Sequence, residues 1–168
     1  MLRFLFPRLT PARPRGQAMF DAAVREARKP YWYANLGIPD TLDGRFSVLS
    51  TIVALMSVRI ERGKGALGEA GPALTERFVE TMDAEHRQIG LGDPTLGKAV
   101  RKMVGALGRR IGIVRSAVEH SRSWEEVARE CLQPSESGDD QARAQALTHL
   151  WARLEATPDQ ALLEGEIR

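Results

Sequence analysis

The apolar residues of this chain recur at three- and four-residue steps, and no segment alternates apolar and polar residues as a half-buried strand does. The clearest run extends from Phe46 to Ile60, where Leu49, Val53 and Met56 keep the spacing. This period is that of an α-helix with one buried face. Further apolar residues lie between these positions, so most of the helix circumference is apolar. Such a helix is expected at the centre of a bundle.

Start and stop signals divide the rest of the chain into further helices. Pro72 suits the first turn of one helix, and Asp93 suits the N-cap of another. Ser123 is followed three residues later by Glu126, which is the capping-box pattern. A length of 168 residues suits one domain. The sequence therefore predicts an all-α, single-domain helical bundle of about six to seven helices over residues 17–168.

The first 16 residues carry four Arg, three Pro and no acid. We predict that residues 1–16 form a flexible basic N-terminal tail. The alternative is a weak interfacial anchor whose leucines and phenylalanines enter the lipid headgroup region. No segment reaches the roughly 18–20 apolar residues that cross a bilayer. The high ratio of Arg to Lys is typical of GC-rich bacterial genomes. We therefore expect a cytoplasmic bacterial protein, with at most peripheral contact with the inner face of the inner membrane.

The sequence contains no arrangement of residues that suggests catalysis or metal binding. His86, His120 and His149 are isolated, and no His pair has the four-residue spacing of a helical metal site. Cys131 is the single cysteine and has no neighbouring His. Neither a phosphate-binding loop nor a nucleophile elbow is present. These observations predict a binding protein with no catalytic residues, no metal, no cofactor and no small-molecule substrate.

The predicted helix from Thr95 to Glu119 has the most distinctive polar side. Residues 98–115 carry six basic side chains and no acid, and the same flank carries Gly97, Gly105, Gly108 and Gly112. Each glycine costs a helix about 1 kcal/mol relative to Ala. We expect the glycines to pack against the central helix, with a partner helix as the alternative. The basic residues form either a solvated face or a face that binds an anionic partner. The candidate binding residues are Lys98, Arg101, Lys102, Gly105, Gly108, Arg109, Arg110 and Gly112.

The aromatic cluster Tyr31, Trp32 and Tyr33 is a second candidate binding site. Tyr and Trp are enriched at the energetic centres of protein interfaces. The same residues can instead close one end of a bundle, and we expect this packing role.

Three segments resemble the ubiquinol–cytochrome c chaperone family. They are the Pro-Asp-Thr-Leu-Asp-Gly-Arg-Phe run at 39–46, the Met-Asp to Gly-Asp run at 82–93, and the Gly-Lys-Ala-Val-Arg-Lys-Met run at 97–103. The order of the segments and the gaps between them match the family. The resemblance covers about residues 30–120.

The resemblance implies a non-enzymatic assembly factor that binds nascent or newly inserted cytochrome b and helps it mature into respiratory complex III. Mitochondrial relatives act with a small helper protein near the ribosomal tunnel exit. The family supplies no catalytic residue and no cofactor. The alternative from the residues alone is a basic helical module that binds the ribosome, other RNA or the anionic membrane surface.

Overall fold

The computed structural model describes residues 16–88, 93–133 and 139–168, without the side chains of 85–88 and 93–96. Helix is the only regular secondary structure within these ranges, so the all-α prediction is confirmed. The predicted tail, apart from its last residue, lies outside the described residues. The sequence also predicts the end of a helix at Gly90 and Gly92 and a loop at 134–138, and these residues lie outside the described part as well.

The described part of the chain contains six helices of eight residues or more and two single-turn helices. Before the central helix the sequence predicts only a short turn ending at Gly37, whereas the structure has a one-turn helix there; the other helices follow the predicted order. The helices are α1 Gln17–Ala27, α2 Tyr31–Ala34, α3 Leu42–Glu61, α4 Gly71–Gln88, α5 Asp93–Val118, α6 Trp124–Cys131, α7 Asp140–Ala156 and α8 Asp159–Leu163.

Helix α3 is the predicted central helix and contacts α1, α4, α5, α6 and α7. Its buried hydroxyl groups donate hydrogen bonds to carbonyl groups one turn earlier, as from Thr51 to Ser47 at 2.6 Å and from Ser57 to Val53 at 2.8 Å. These bonds remove the cost of burying polar groups in the core. None of the described helices is both long enough and apolar enough to cross a membrane.

Helices α6 and α7 begin at capping residues that the sequence contains. Ser123 and Glu126 form the predicted capping box at the start of α6. Asp139 caps α7 by accepting a hydrogen bond from the Gln141 amide at 2.8 Å. These caps fix where α6 and α7 begin, and the two helices pack against each other.

Arg143 of α7 is 2% exposed and connects α7 to the segment that leads into α3. Its Nε donates to the Leu36 carbonyl at 3.0 Å, and its Nη2 donates to the Gly37 carbonyl at 3.2 Å. Its Nη1 lies 3.7 Å from the Asp140 carboxylate. The connecting segment 35–39 is therefore held against α7 by a buried charge.

Replacing Arg143 with Met is expected to lower the free energy of unfolding by about 2–4 kcal/mol, because two carbonyl groups lose their donors in the interior. Chemical denaturation measures the loss. The matched control is Arg129→Met, since Arg129 pairs with the same Asp140 at 3.3 Å but is 64% exposed. That change is expected to cost less than about 1 kcal/mol. Equal losses in the two variants would contradict the assignment.

Candidate functional site

An open groove of about 1630 Å³ lies between α1, α2, the start of α3, α4 and α5. Its buried and half-buried lining is mostly apolar, and its exposed rim is mostly charged. The lining residues of the interior are Phe20, Val24, Ala27, Phe46, Leu49, Met82, Ala99, Met103 and Ala106. The exposed charged residues of the rim are Arg28, Asp40, Asp43, Arg45 and Lys102.

The three segments that resemble the chaperone family meet at this groove. The run at 39–46 supplies its charged end and Phe46. The run at 82–93 supplies Met82, and the run at 97–103 supplies Ala99, Lys102 and Met103. The first segment, which is far from the other two in the sequence, therefore forms one surface with them, and we take this surface as the candidate functional site.

The run at 39–46 has a geometry that requires its particular residues. The Thr41 side chain caps α3 by accepting a hydrogen bond from the Gly44 amide at 3.1 Å. A Cβ atom at Gly44 would lie 1.8 Å from the Pro39 carbonyl oxygen, so only glycine permits this approach. Asp40 and Arg45 form an ion pair with an Nε–Oδ1 distance of 2.5 Å. Their hydrogen bond lowers the pKa of the Asp40 carboxyl and raises the pKa of the Arg45 guanidinium.

Phe46 and Arg110 connect the groove to the core. The Phe46 ring lies 6.1 Å from the Phe78 ring between centroids, and the Arg110 guanidinium lies 5.8 Å from the Phe46 centroid. Arg110 also donates from Nε and Nη2 to the Cys131 carbonyl at 3.1 and 3.0 Å. Burial lowers the pKa of the Arg110 guanidinium. Arg110 therefore joins α5 to α6 and is separate from the exposed cations on α5.

The other predicted cations of α5 are exposed. Lys98, Arg101, Lys102 and Arg109 make no ion pair with the residues that the structure describes. Lys102 lines the groove, whereas the other three cations are not among its lining residues. The predicted binding residues of α5 are thus divided between the groove and the outer side of the helix.

The glycines of α5 do not pack against α3, so that expectation was wrong. A Cβ atom at Gly105, Gly108 or Gly112 would find no described atom within 4 Å outside the helix's own adjacent backbone. Helix α5 instead contacts the core through the opposite side, where Leu107 and Val114 are fully buried. The apolar stripe and the glycine flank lie on different sides of the helix, and the bundle covers only the stripe.

The aromatic cluster is also divided. Trp32 is 2% exposed, and its Nε1 donates to the Glu26 carbonyl at 3.0 Å. The Tyr33 hydroxyl donates to the Ala27 carbonyl at 2.7 Å, and Tyr33 lines the groove. Tyr31 is 49% exposed and lines a smaller cleft of about 590 Å³ between the α1–α2 region and α7. Trp32 and Tyr33 close the end of α1, as expected, and Tyr31 is left at the surface.

Cys131 is fully buried, and burial raises the pKa of its thiol from 9.0 to about 11. The folded protein therefore keeps this proton at pH values at which the unfolded chain releases it. The free energy of unfolding is expected to fall as the pH rises from about 9 to about 11. Denaturation of the native protein and of Cys131→Ala across this range measures the effect, since the other titrating groups are common to both. A native protein that loses no more stability than the variant would contradict it.

The described residues hold no group of three or more His, Cys, Asp or Glu side chains that could bind a metal ion. His120, in the turn after α5, and His149, on α7, are both exposed. The groove itself contains an ion pair and isolated carboxylates, with no histidine in its lining. Its geometry suits the binding of an apolar partner.

Comparison with known proteins bears directly on this site. The model of the ubiquinol–cytochrome C chaperone family matches residues 34–168. The chain belongs to this family. The match extends the expected region of 30–120 to the last residue, so α6, α7 and α8 also belong to the family domain. None of the curated proteins compared with the chain matches it.

The fold also resembles a solved structure. The crystal structure of the Cbp3 homolog from Brucella abortus aligns with a TM-score of 0.77 at 22% sequence identity. The alignment covers 99% of this chain and 95% of that one. At this identity the likeness describes the fold, including the helices that form the groove.

The groove interior is the part of the site that sequence periodicity missed. Phe20 and Val24 come from α1, which lies before the family match, while Met82 and Met103 come from the middle of the chain. The family segments were a usable signal, because residues from all three of them line the groove.

Proposed function

We propose that this family member is a non-enzymatic assembly chaperone that binds cytochrome b during the biogenesis of ubiquinol–cytochrome c reductase. The observation that carries the proposal is the meeting of the three family segments at one apolar groove. We place the client on this groove. The predicted glycine flank of α5 is not part of the client site in this proposal.

The chemistry of the groove suits a segment of an immature membrane protein. Its interior offers aliphatic and aromatic side chains together with Met82 and Met103. Methionine is flexible and polarisable, which suits a surface that accepts apolar helices of varied shape. The volume corresponds to roughly three to four turns of a helix of about 10–12 Å diameter.

The charged rim borders this apolar binding surface. Arg45 is paired with Asp40, whereas Lys102 on the α5 side has no ion-pair partner among the described residues. An apolar helix flanked by acidic loop residues could therefore pack against the apolar interior while its acidic residues pair with Lys102 at the rim. No step of this binding requires a nucleophile, a proton transfer or a cofactor.

Deletion of the gene tests the proposed function in the native organism. Cytochrome b and assembled complex III are expected to fall together, while other respiratory complexes keep their levels. Reintroducing the wild-type gene is expected to restore both. Normal levels of complex III in the deletion strain would overturn the proposal.

A further inference from the structure

We propose that the outer side of α5 is a docking surface for a bilayer that contains anionic phospholipids. Lys98, Arg101 and Arg109 project from this side, and Lys102 joins them at the groove edge. The partner is a lipid surface and not the cytochrome b client. The position of the client beside this surface rests on the proposed function, whereas the lipid contact rests on separate observations.

The first observation is charge without compensation. The stretch from 97 to 118 contains no Asp or Glu. Several exposed arginines outside α5 do have carboxylate partners, such as Arg45 with Asp40 at 2.5 Å and Arg129 with Asp140 at 3.3 Å. The four exposed cations of α5 have no such partner among the described residues. An anionic surface can therefore interact with them without first breaking an ion pair.

The second observation is the shape of this surface. The cations from Lys98 to Arg109 span roughly 16 Å along one helix. Gly105 and Gly108 are exposed between them, and a Cβ atom at either position would meet open space. Because glycine has no side chain, nothing projects from these two positions to keep a flat surface away from the cations. The charged groups can thus reach one plane together.

The third observation favours lipid over RNA. Val104 is 41% exposed and lies one turn from Arg101 on the uncovered part of α5. An aliphatic side chain among cations adds affinity for the headgroup boundary of a membrane. Single-stranded RNA is bound by aromatic side chains interleaved with cations. Helix α5 contains no Phe, Trp or Tyr.

The arrangement also relates the lipid surface to the groove. Lys102 belongs to the cationic set and lines the groove, so the groove opens beside the proposed docking surface. A protein held in this way presents its groove next to the bilayer. A client that is entering the membrane would be within reach of it.

Sedimentation of the full chain with lipid vesicles tests the proposal. Vesicles of phosphatidylcholine with phosphatidylglycerol are expected to bind the protein, and vesicles of phosphatidylcholine alone are expected to bind it weakly. Each cation near an anionic bilayer contributes about a fivefold gain in partitioning. The variant Lys98→Glu/Arg101→Glu is therefore expected to bind at least about 25-fold more weakly. Added salt is expected to weaken wild-type binding further.

The matched control is Arg62→Glu/Lys64→Glu, which makes the same change in net charge at two exposed residues near the end of α3. This control is expected to bind vesicles like the wild type. Equal vesicle binding by the α5 variant and the wild type would overturn the proposal. So would preferential binding of an RNA homopolymer that competes the protein off the vesicles.

Failure of this inference can be separated from failure of the proposed function. Lys98 and Arg101 are not groove residues, so the α5 variant is expected to capture detergent-solubilised cytochrome b normally. If the wild type captures cytochrome b but does not bind vesicles, only the proposed membrane-docking surface is wrong. If the wild type binds vesicles but does not capture cytochrome b, only the proposed binding of cytochrome b is wrong.

Discussion

Replacing Ala99 and Ala106 with Phe is expected to weaken the capture of cytochrome b strongly while the protein remains folded. Both alanines are half-buried residues of α5 that line the groove. The new rings would fill the groove with apolar side chains, so they bury surface in place of the client. Forcing a client helix past them costs about 1–3 kcal/mol for each ring. Binding is therefore expected to weaken by more than about tenfold.

The matched control places the same substitutions on α7. Ala152 and Ala156 are exposed, lie four residues apart and line neither the groove nor the smaller cleft. Copurification of cytochrome b with each variant from solubilised membranes measures the effect, and circular dichroism checks the fold. If the groove variant captures cytochrome b as well as the α7 variant does, the client does not occupy the groove.

The second large effect is a gain in the stability of the protein. Changing Gly105, Gly108 and Gly112 together to Ala is expected to raise the free energy of unfolding by about 3 kcal/mol. Each glycine costs a helix about 1 kcal/mol relative to Ala, and a Cβ atom at each position meets open space. The melting temperature of a chain of this size should rise by roughly 6–12 °C.

Urea denaturation measures this gain as a shift in midpoint with an unchanged slope. The contrasting control is Gly44→Ala, because its Cβ atom would lie 1.8 Å from the Pro39 carbonyl oxygen. That single change is expected to destabilise the protein. A triple variant no more stable than the wild type would mean that the glycine flank is covered in solution.

Local signals predicted the helices because those signals act within a few residues. Ser123 and Glu126 satisfy each other at the start of α6 regardless of what packs nearby. The all-round apolar pattern of α3 likewise predicted its central position, and every helix that contacts it confirms that position. These features depend on capping hydrogen bonds and on helix burial, and both follow from local patterns in the sequence.

The surroundings of α5 could not be predicted in the same way. Periodicity gives the angle of a side chain around its helix, but it does not say which sides have a neighbour. The glycines were expected inside and lie outside, because α3 packs on the stripe that contains Leu107 and Val114. Arg110 was grouped with the exposed cations, although it lies seven residues after Met103 and therefore on the inner side.

The groove itself could not be predicted from the sequence, although residues of all three family segments line it. Its walls come from α1, α2, α3, α4 and α5, and no single stretch of sequence contains its pattern. The spacing between the segments gave family membership, but not their meeting point. That meeting point depends on how the five helices pack against one another.

Site-specific photocrosslinking in cells tests the central assignment most directly. A photoreactive residue at Leu42, which is 76% exposed at the groove rim, is expected to crosslink to cytochrome b during complex III assembly. The same residue at Gly108, on the outer side of α5, is expected to give no crosslink to cytochrome b. Crosslinks to cytochrome b from position 108 and none from position 42 would contradict the account.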